Sequence, residues 1–265
     1  MNANTARIPY EACPLCDATD LVDVAEASCT HYPLYTPELP DTIRWRGCRS
    51  CGHIFTDGYF TDEALERIFQ KAHPKQTPGK DIEAGRLISA RIVTTVSTIR
   101  GELGGRWLDV GFGNGSLMTT ADEFGYQAVG IDLRESSVKL MRDFGYQAHC
   151  VELTQFREPS SFDVVSMADV LEHMPFPRQA LEHVHMLLRQ AGLLFVAMPN
   201  MDCFVWKVLD QDGKNPYWGE LEHYHNFGRD RLYALLGACG FAPCYYAVSE
   251  RYRAGMEVVA RKLPP

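Results

Sequence analysis

"WLDVGFGNGSL", residues 107–117, sets three glycines, Gly111, Gly113 and Gly115, close behind an apolar run that contains an acid, Asp109. Trp107–Val110 reads as a buried strand, and the segment from Ser116 to Phe124 reads as a helix. Glycine between the two lets the main chain take left-handed conformations and lets a bulky ligand lie against it. In an open α/β sheet, the crevice beyond the carboxyl ends of the strands is where ligands bind. A dinucleotide fingerprint, G-x-G-x-x-G, would need its third glycine at position 116, which is serine. The spacing is D-x-G-x-G-x-G, from Asp109 to Gly115.

The flanking sequence alternates between strand and helix signals. Ile88, Ile92, Val96 and Ile99 share one helical face that ends near Gly101. After the glycine loop come a strand over Ala128–Ile131, a helix over Ser136–Phe144, a short strand in "YQAHC" and an apolar strand over Asp163–Met167. Ala180, Leu181, Val184, Leu187 and Leu188 mark a helix closed by Gly192, and "LLFVAM" marks another strand. Leu232, Leu235, Leu236 and Cys239 give a last helix before Gly240, and the tail reads as two strands joined by a turn. This order predicts a doubly wound, mostly parallel seven-stranded sheet with an antiparallel C-terminal hairpin. Residues 61–265 form that domain, with a helix starting at Asp62 and a break over Lys71–Lys80.

The first 60 residues follow another pattern. Cys13-Pro-Leu-Cys16 and Cys48-Arg-Ser-Cys51 are two knuckles, each able to aim two thiolates at one point, and four thiolates suit tetrahedral Zn²⁺. "IRWRG" and "GHIF" flank the second knuckle as short strands, which favours a zinc ribbon over a redox pair. Proline at positions 33, 37 and 40 makes the long insertion between the knuckles a loop. The other five cysteines, Cys29, Cys150, Cys203, Cys239 and Cys244, read as buried small apolar residues. His53 stands near the second knuckle, but four sulfurs leave no need for it.

Charge narrows the partners. The chain of 265 residues carries a formal net charge of −8 and no block of Lys and Arg. The first 60 residues hold four Arg against eight Asp and Glu. A nucleic-acid backbone or an anionic membrane needs a concentrated basic face, so neither is expected as the main partner. No apolar run approaches membrane-spanning length and the N-terminus lacks a signal-peptide core, which implies a cytoplasmic protein.

With Asp109, Gly111, Gly113 and Gly115 at this spacing, the chain resembles the class I S-adenosylmethionine-dependent methyltransferases over roughly residues 80–265. The resemblance implies that the three glycines lie along the methionine and ribose portions of that cofactor and that Asp109 helps hold its amino group. Asp132, followed by Leu133, ends the second strand 17 residues after Gly115, where an acid accepts hydrogen bonds from both ribose hydroxyls. Such charge-assisted bonds contribute about 1.5–3 kcal/mol each. "FDVVSMADVLEHMPFP" resembles the family's fourth strand and the loop after it, with Met167 and Ala168 beside the methionine end. Glu152 either meets the adenine amino group or is a solvated loop carboxylate.

A sulfonium methyl is already activated, so the protein has only to align the nucleophile and, for a hydroxyl or an enolisable carbon, remove its proton. His183 and His185 sit off the apolar face of their helix and read as solvent-exposed. His173, in "LEHM", follows the fourth strand. "WGELEHYHNFG", residues 218–228, gathers Glu222, His223 and His225 among aromatic residues and resembles the "EH…F" stretch of zinc-containing deoxysugar C-methyltransferases. That resemblance implies a base, His223, paired with a carboxylate, Glu222, with His173 and His225 as further candidates; the long C-terminal domain of those enzymes has no counterpart here. A small-molecule acceptor methylated on oxygen, a sugar or other secondary metabolite, is the expectation. The N-terminal "CPLC" ribbon also resembles the ribosomal RNA guanine methyltransferases, and the ribbon's acidic charge speaks against that alternative.

Overall fold

The computed structural model describes residues 6–70, 76–252 and 254–264. In chain order these form β1 (Arg7–Pro9), β2 (Leu21–Ser28), β3 (Thr42–Cys48), β4 (Ile54–Thr56), β5 (Gly58–Phe60), α1 (Asp62–Gln70) and α2 (Ile82–Arg100). Then follow β6 (Gly105–Val110), α3 (Ser116–Glu123), β7 (Tyr126–Asp132), α4 (Glu135–Asp143), β8 (Gln147–Cys150) and β9 (Phe162–Ala168). The last elements are α5 (Pro177–Leu187), β10 (Leu188–Pro199), α6 (Phe204–Gln211), β11 (His225–Asn226), α7 (Arg229–Ala238), β12 (Phe241–Val248) and β13 (Gly255–Lys262). The break expected over Lys71–Lys80 lies partly outside the described residues. By packing, the chain divides into a first unit (1–73, 172–178 and 199–235) and a second (74–171, 179–198 and 236–265).

The second unit is built on a seven-stranded sheet in the order β12-β13-β10-β9-β6-β7-β8. β6, β7, β8, β9 and β10 pair in parallel, and β12 pairs antiparallel with β13. The register sets Asp109 between Gly130 of β7 and Ser166 of β9. Successive strand residues face opposite sides of the sheet. One side carries Trp107, Ala128, Val164, Leu193 and Phe195, buried with Ile92, Val93 and Val96 of α2, Leu117 and Met118 of α3, and Met141 of α4. The alternate residues Leu108, Val129, Val165, Leu194 and Val196 are buried too, as a sheet covered on both faces requires. α2 ends on Gly101, whose φ of 88° is the left-handed conformation expected of a glycine C-cap. The expected helix closed by Gly192 stops earlier, at Leu187. β10 begins at Leu188, pairs with Phe162, and then bulges around Ala191 (φ 58°) before regular pairing resumes at Leu193.

The first unit joins three stretches of chain. β11, β4, β3 and β2 form a four-stranded antiparallel sheet, and β1 pairs with β5. Ile43, Trp45, Phe60, Ile68, Leu221 and Tyr224 make its apolar cluster. Hydrogen bonds tie the remote segment to the cysteine region: Tyr10 Oη donates to the Pro175 carbonyl (2.7 Å), and Arg178 donates twice to the Leu15 carbonyl (2.6 and 2.9 Å). The packing unit therefore crosses the expected boundary at residue 60, and β2, β11 and α6 stand where no strand or helix was read. Cys29 and Cys239 are buried as expected, but Cys150 and Cys244 are exposed and Cys203 is half-buried, capping α6 through its sulfur. His183 and His185 are half-buried rather than solvated, His183 donating to the Phe156 carbonyl and His185 packing on Phe241. Among the described residues, no helix is long and apolar enough to cross a membrane.

Candidate active site

In the second unit, the glycine loop leaves the end of β6 with all three glycines at positive φ: 63° at Gly111, 57° at Gly113 and 80° at Gly115. A Cβ at Gly111 would stand 2.8 Å from a methyl of Val170, and one at Gly115 would stand 3.0 Å from the Met141 sulfur. At Gly113, among the described residues other than its chain neighbours, a Cβ would meet only the Gly111 carbonyl oxygen, at 3.9 Å. The loop is thus demanded by backbone conformation throughout and crowded at its two ends, with open space over its middle. That open space beside main chain is what a cofactor lying along the loop requires.

Asp109 is buried beneath this loop and accepts a hydrogen bond from Ser166 Oγ at 2.6 Å. Burial raises its carboxyl to about pKa 7, with the Ser166 bond and Arg251 pulling the other way and Asp132 adding to the rise. Arg251 is itself anchored 2.7 Å from Asp169, whose other oxygen accepts from Tyr252 Oη at 2.6 Å. Asp132 closes β7 and is buried, gripped by Arg134 through Nε (2.9 Å) and Nη2 (2.8 Å) as well as its main-chain N–H. Leu133 beside it is 49% exposed, an apolar side chain open to a planar ligand. Glu152 bends back on its own turn, accepting from the main-chain N–H of Thr154 at 2.8 Å. Met167 is fully buried in β9 and Ala168 is half-buried at its end. Ser166, Arg251 and Tyr252 carry no local sequence signature; the first could have been found only as the small polar residue inside an apolar strand.

In the first unit, Cys13, Cys16, Cys48 and Cys51 bring their sulfurs within 4.8 Å of one another. Cys13 and Cys51 lie 3.7 Å apart, and Cys16 and Cys48 3.6 Å. Tetrahedral zinc with bonds of about 2.3 Å sets sulfurs about 3.8 Å apart, so the four residues fit Zn²⁺. Each knuckle turns through a left-handed residue just after its second cysteine, Asp17 (φ 60°) and Gly52 (φ 72°). His53 is turned to another use, with Nε2 3.0 Å from His225 Nδ1.

The four candidate catalytic residues fall in this unit but do not act alike. His225 is buried, and Nε2–H donates to the Met174 carbonyl at 2.9 Å, leaving Nδ1 to accept from His53. Burial, only partly opposed by its main-chain hydrogen bonds, lowers its pKa to about 3, so it is a neutral, fixed ring. His223 and His173 pack edge to face, with centroids 4.6 Å apart. His223 Nε2 is 2.9 Å from a Glu220 oxygen. Burial works against charge there, but Glu220, Glu172 and Glu222 together outweigh it and push the imidazole up to about pKa 9. Glu222 instead accepts from Tyr32 Oη at 2.9 Å, while its carbonyl oxygen accepts from His173 Nδ1 at 3.0 Å. The carboxylate on His223 is therefore Glu220, three residues earlier, where the paired residue read from sequence was Glu222.

Comparison with known proteins agrees with this architecture. A family model described as a methyltransferase domain matches residues 84–245. The ubiquinone biosynthesis O-methyltransferase of Idiomarina loihiensis is 33% identical over 114 residues, 40% of this chain and 47% of that protein. That of Nitrosococcus oceani is 27% identical over 178 residues, 58% of this chain and 73% of that protein. The chain thus spans about half the length of the first of these curated relatives. The solved structure of Burkholderia thailandensis 1,6-didemethyltoxoflavin-N1-methyltransferase, with S-adenosylhomocysteine bound, superposes with a TM-score of 0.60 at 18% identity, covering 80% of this chain and 96% of that one. Synechocystis magnesium protoporphyrin IX methyltransferase superposes at 0.55 with 20% identity, covering 77% and 96%. The chain belongs to the methyltransferase-domain family and has the class I S-adenosylmethionine-dependent methyltransferase fold.

Proposed function

We propose that the protein is a cytoplasmic S-adenosylmethionine-dependent methyltransferase that acts on a hydroxyl of a small molecule, a sugar or another secondary metabolite. The observation that carries this reading is the left-handed glycine loop at the end of β6 with an acid on either side of it, Asp109 in β6 and Asp132 ending β7. Gly111, Gly113 and Gly115 line the cofactor's methionine and ribose, Asp109 faces its ammonium, Asp132 offers its remaining acceptor site to a ribose hydroxyl, and Leu133 and Ala168 add apolar contact, with Met167 buried in β9. Glu152, held by Thr154, serves its own turn first.

On the acceptor side, a hydroxyl must lose its proton as the methyl arrives, and a positioned group contributes about 10²–10⁴-fold to such a step. His223, paired with Glu220, and His173 supply that group; Glu222, whose carboxylate is held by Tyr32, positions His173 through its carbonyl oxygen, and His225 braces the segment through His53. O-methylation is supported by the curated relatives, which are named as O-methyltransferases. The zinc held by the four cysteines is structural: four thiolates leave it no open position.

The test has two parts. Calorimetry with S-adenosylhomocysteine measures the cofactor site directly, and a silent titration removes the reading. Incubation with isotopically labelled S-adenosylmethionine and fractionated cell extract then identifies the acceptor; label appearing in RNA rather than in a small-molecule fraction would transfer the activity to nucleic acid.

A further inference from the structure

Outside the four cysteines, Glu172, His173 and His223 also converge, each bringing one donor atom within 4.8 Å of the other two. Their hydrogen bonds fix which ring nitrogens can ligate. A carbonyl oxygen can only accept, so the 3.0 Å contact to Glu222 O puts the proton of His173 on Nδ1 and the lone pair on Nε2. The 2.9 Å contact of His223 Nε2 to Glu220 likewise holds a proton there. His223 Nδ1 is then buried and makes no hydrogen bond, and an ion bound there displaces the proton that the metal-free ring carries on it. Histidines that bind metals are oriented in this way, donating the second N–H to a carbonyl or carboxylate. Glu172 completes the set as a carboxylate that is 1% exposed, and Glu172, Glu220 and Glu222 together make the field at His223 negative.

We propose that Glu172, His173 and His223 form a second divalent-metal site, distinct from the four-cysteine site. Two imidazole nitrogens and one carboxylate suit Zn²⁺ or a related first-row ion. Bonds of about 2.1 Å set the donors about 3.4 Å apart in a tetrahedral site, so the three side chains draw together on binding. Three protein ligands leave a position open, and a hydroxyl bound there loses its proton near neutral pH. In its use, though not in its existence, the site rests on the methyl-transfer reading above: the ion acidifies the acceptor's hydroxyl, its proton passes to solvent water, and the resulting oxyanion takes the methyl as the sulfonium leaves as a neutral thioether.

The full-length protein, purified with its cysteine site loaded, is titrated with Co²⁺ while visible absorption is followed. Weak d–d bands that saturate at one equivalent, without thiolate-to-metal charge transfer, are the expected result. His223→Asn, Glu172→Gln and the half-buried His173→Asn each abolish those bands, and Glu220→Gln weakens binding about ten-fold by releasing the orientation of His223. Circular dichroism establishes that each variant is folded, and the wild-type titration stands without them. No d–d bands in the wild type, or bands that persist in folded His173→Asn, overturn the site and leave the cluster as an ion pair of His223 with its carboxylates. Co²⁺ binding of the expected kind in a protein that ignores S-adenosylhomocysteine supports the site while removing the methyl-transfer reading.

Discussion

Ser166 Oγ stands 2.6 Å from Asp109 Oδ1, joining two neighbouring parallel strands through side chains. The same hydroxyl accepts from Trp107 Nε1 at 2.8 Å, so indole, hydroxyl and carboxyl form one chain of hydrogen bonds inside the sheet. Because burial holds Asp109 near pKa 7 against an ordinary value of about 3.9, the folded protein keeps a proton there that the unfolded chain has lost. Stability then falls as pH rises between those two values, since the native state binds the extra proton. The charged groups facing Asp109 are Arg251 and Asp132. Asp109→Asn removes this dependence: thermal midpoints measured from pH 5 to pH 8 should show the variant gaining on the wild type as pH rises. A difference that stays constant across the range would mean that Asp109 does not titrate there.

The glycine loop separates two kinds of strain. Gly113→Ala meets open space but must hold φ at 57°, a cost of about 1–2 kcal/mol. Gly111→Ala carries the same conformational cost and also drives a methyl against Val170, 2.8 Å away. Urea unfolding should therefore rank Gly111→Ala as the more damaging, and Val170→Ala should recover part of that loss while doing nothing for Gly113→Ala.

Removing the metal from the four cysteines should undo the packing around Trp45, which is fully buried and donates to the Trp218 carbonyl at 2.8 Å. β3 runs from that tryptophan into Cys48, so loss of the knuckle frees its end. Structural zinc contributes about 10–16 kcal/mol of folding free energy in zinc-finger peptides, more than so small a sheet replaces. A chelator, or Cys48→Ser, should red-shift tryptophan emission, and elemental analysis should show the loss of zinc. Unchanged emission after complete zinc loss would make the metal dispensable.

Asp132 accepts three hydrogen bonds from Arg134, two on Oδ1 and one on Oδ2, and retains one acceptor site on Oδ2 for a ribose hydroxyl. If it holds the ribose, Asp132→Ala should weaken S-adenosylhomocysteine binding by roughly 10- to 150-fold, the equivalent of one charge-assisted bond. Calorimetry reads this directly, and wild-type affinity in the variant would take Asp132 out of the cofactor site.

The two acidic neighbours of His223 should separate in kinetics. Glu220→Gln removes the charge on His223 Nε2, whereas Glu222→Gln keeps an acceptor for Tyr32. Turnover should fall about 10²-fold in the first and much less in the second, with S-adenosylhomocysteine affinity unchanged in both. The reverse order would restore Glu222 as the partner.

The sequence by itself determined the second unit almost entirely. A period of two in the strands, a period near 3.6 in the helices and glycines at positive φ are properties of neighbouring residues, and they place Asp109, the three glycines and Asp132 without any knowledge of packing. The two CxxC knuckles are legible for the same reason: each is a short turn that needs only its own residues to aim two sulfurs. Only tertiary structure decided the rest. Tyr32 reaches Glu222 across 190 residues and His53 reaches His225 across 172, and Glu172 joins His223 from a separate segment. Contacts of that span leave no periodic trace in the chain; they exist only once apolar burial has brought three distant stretches into one unit, and only there does a buried histidine acquire its partner.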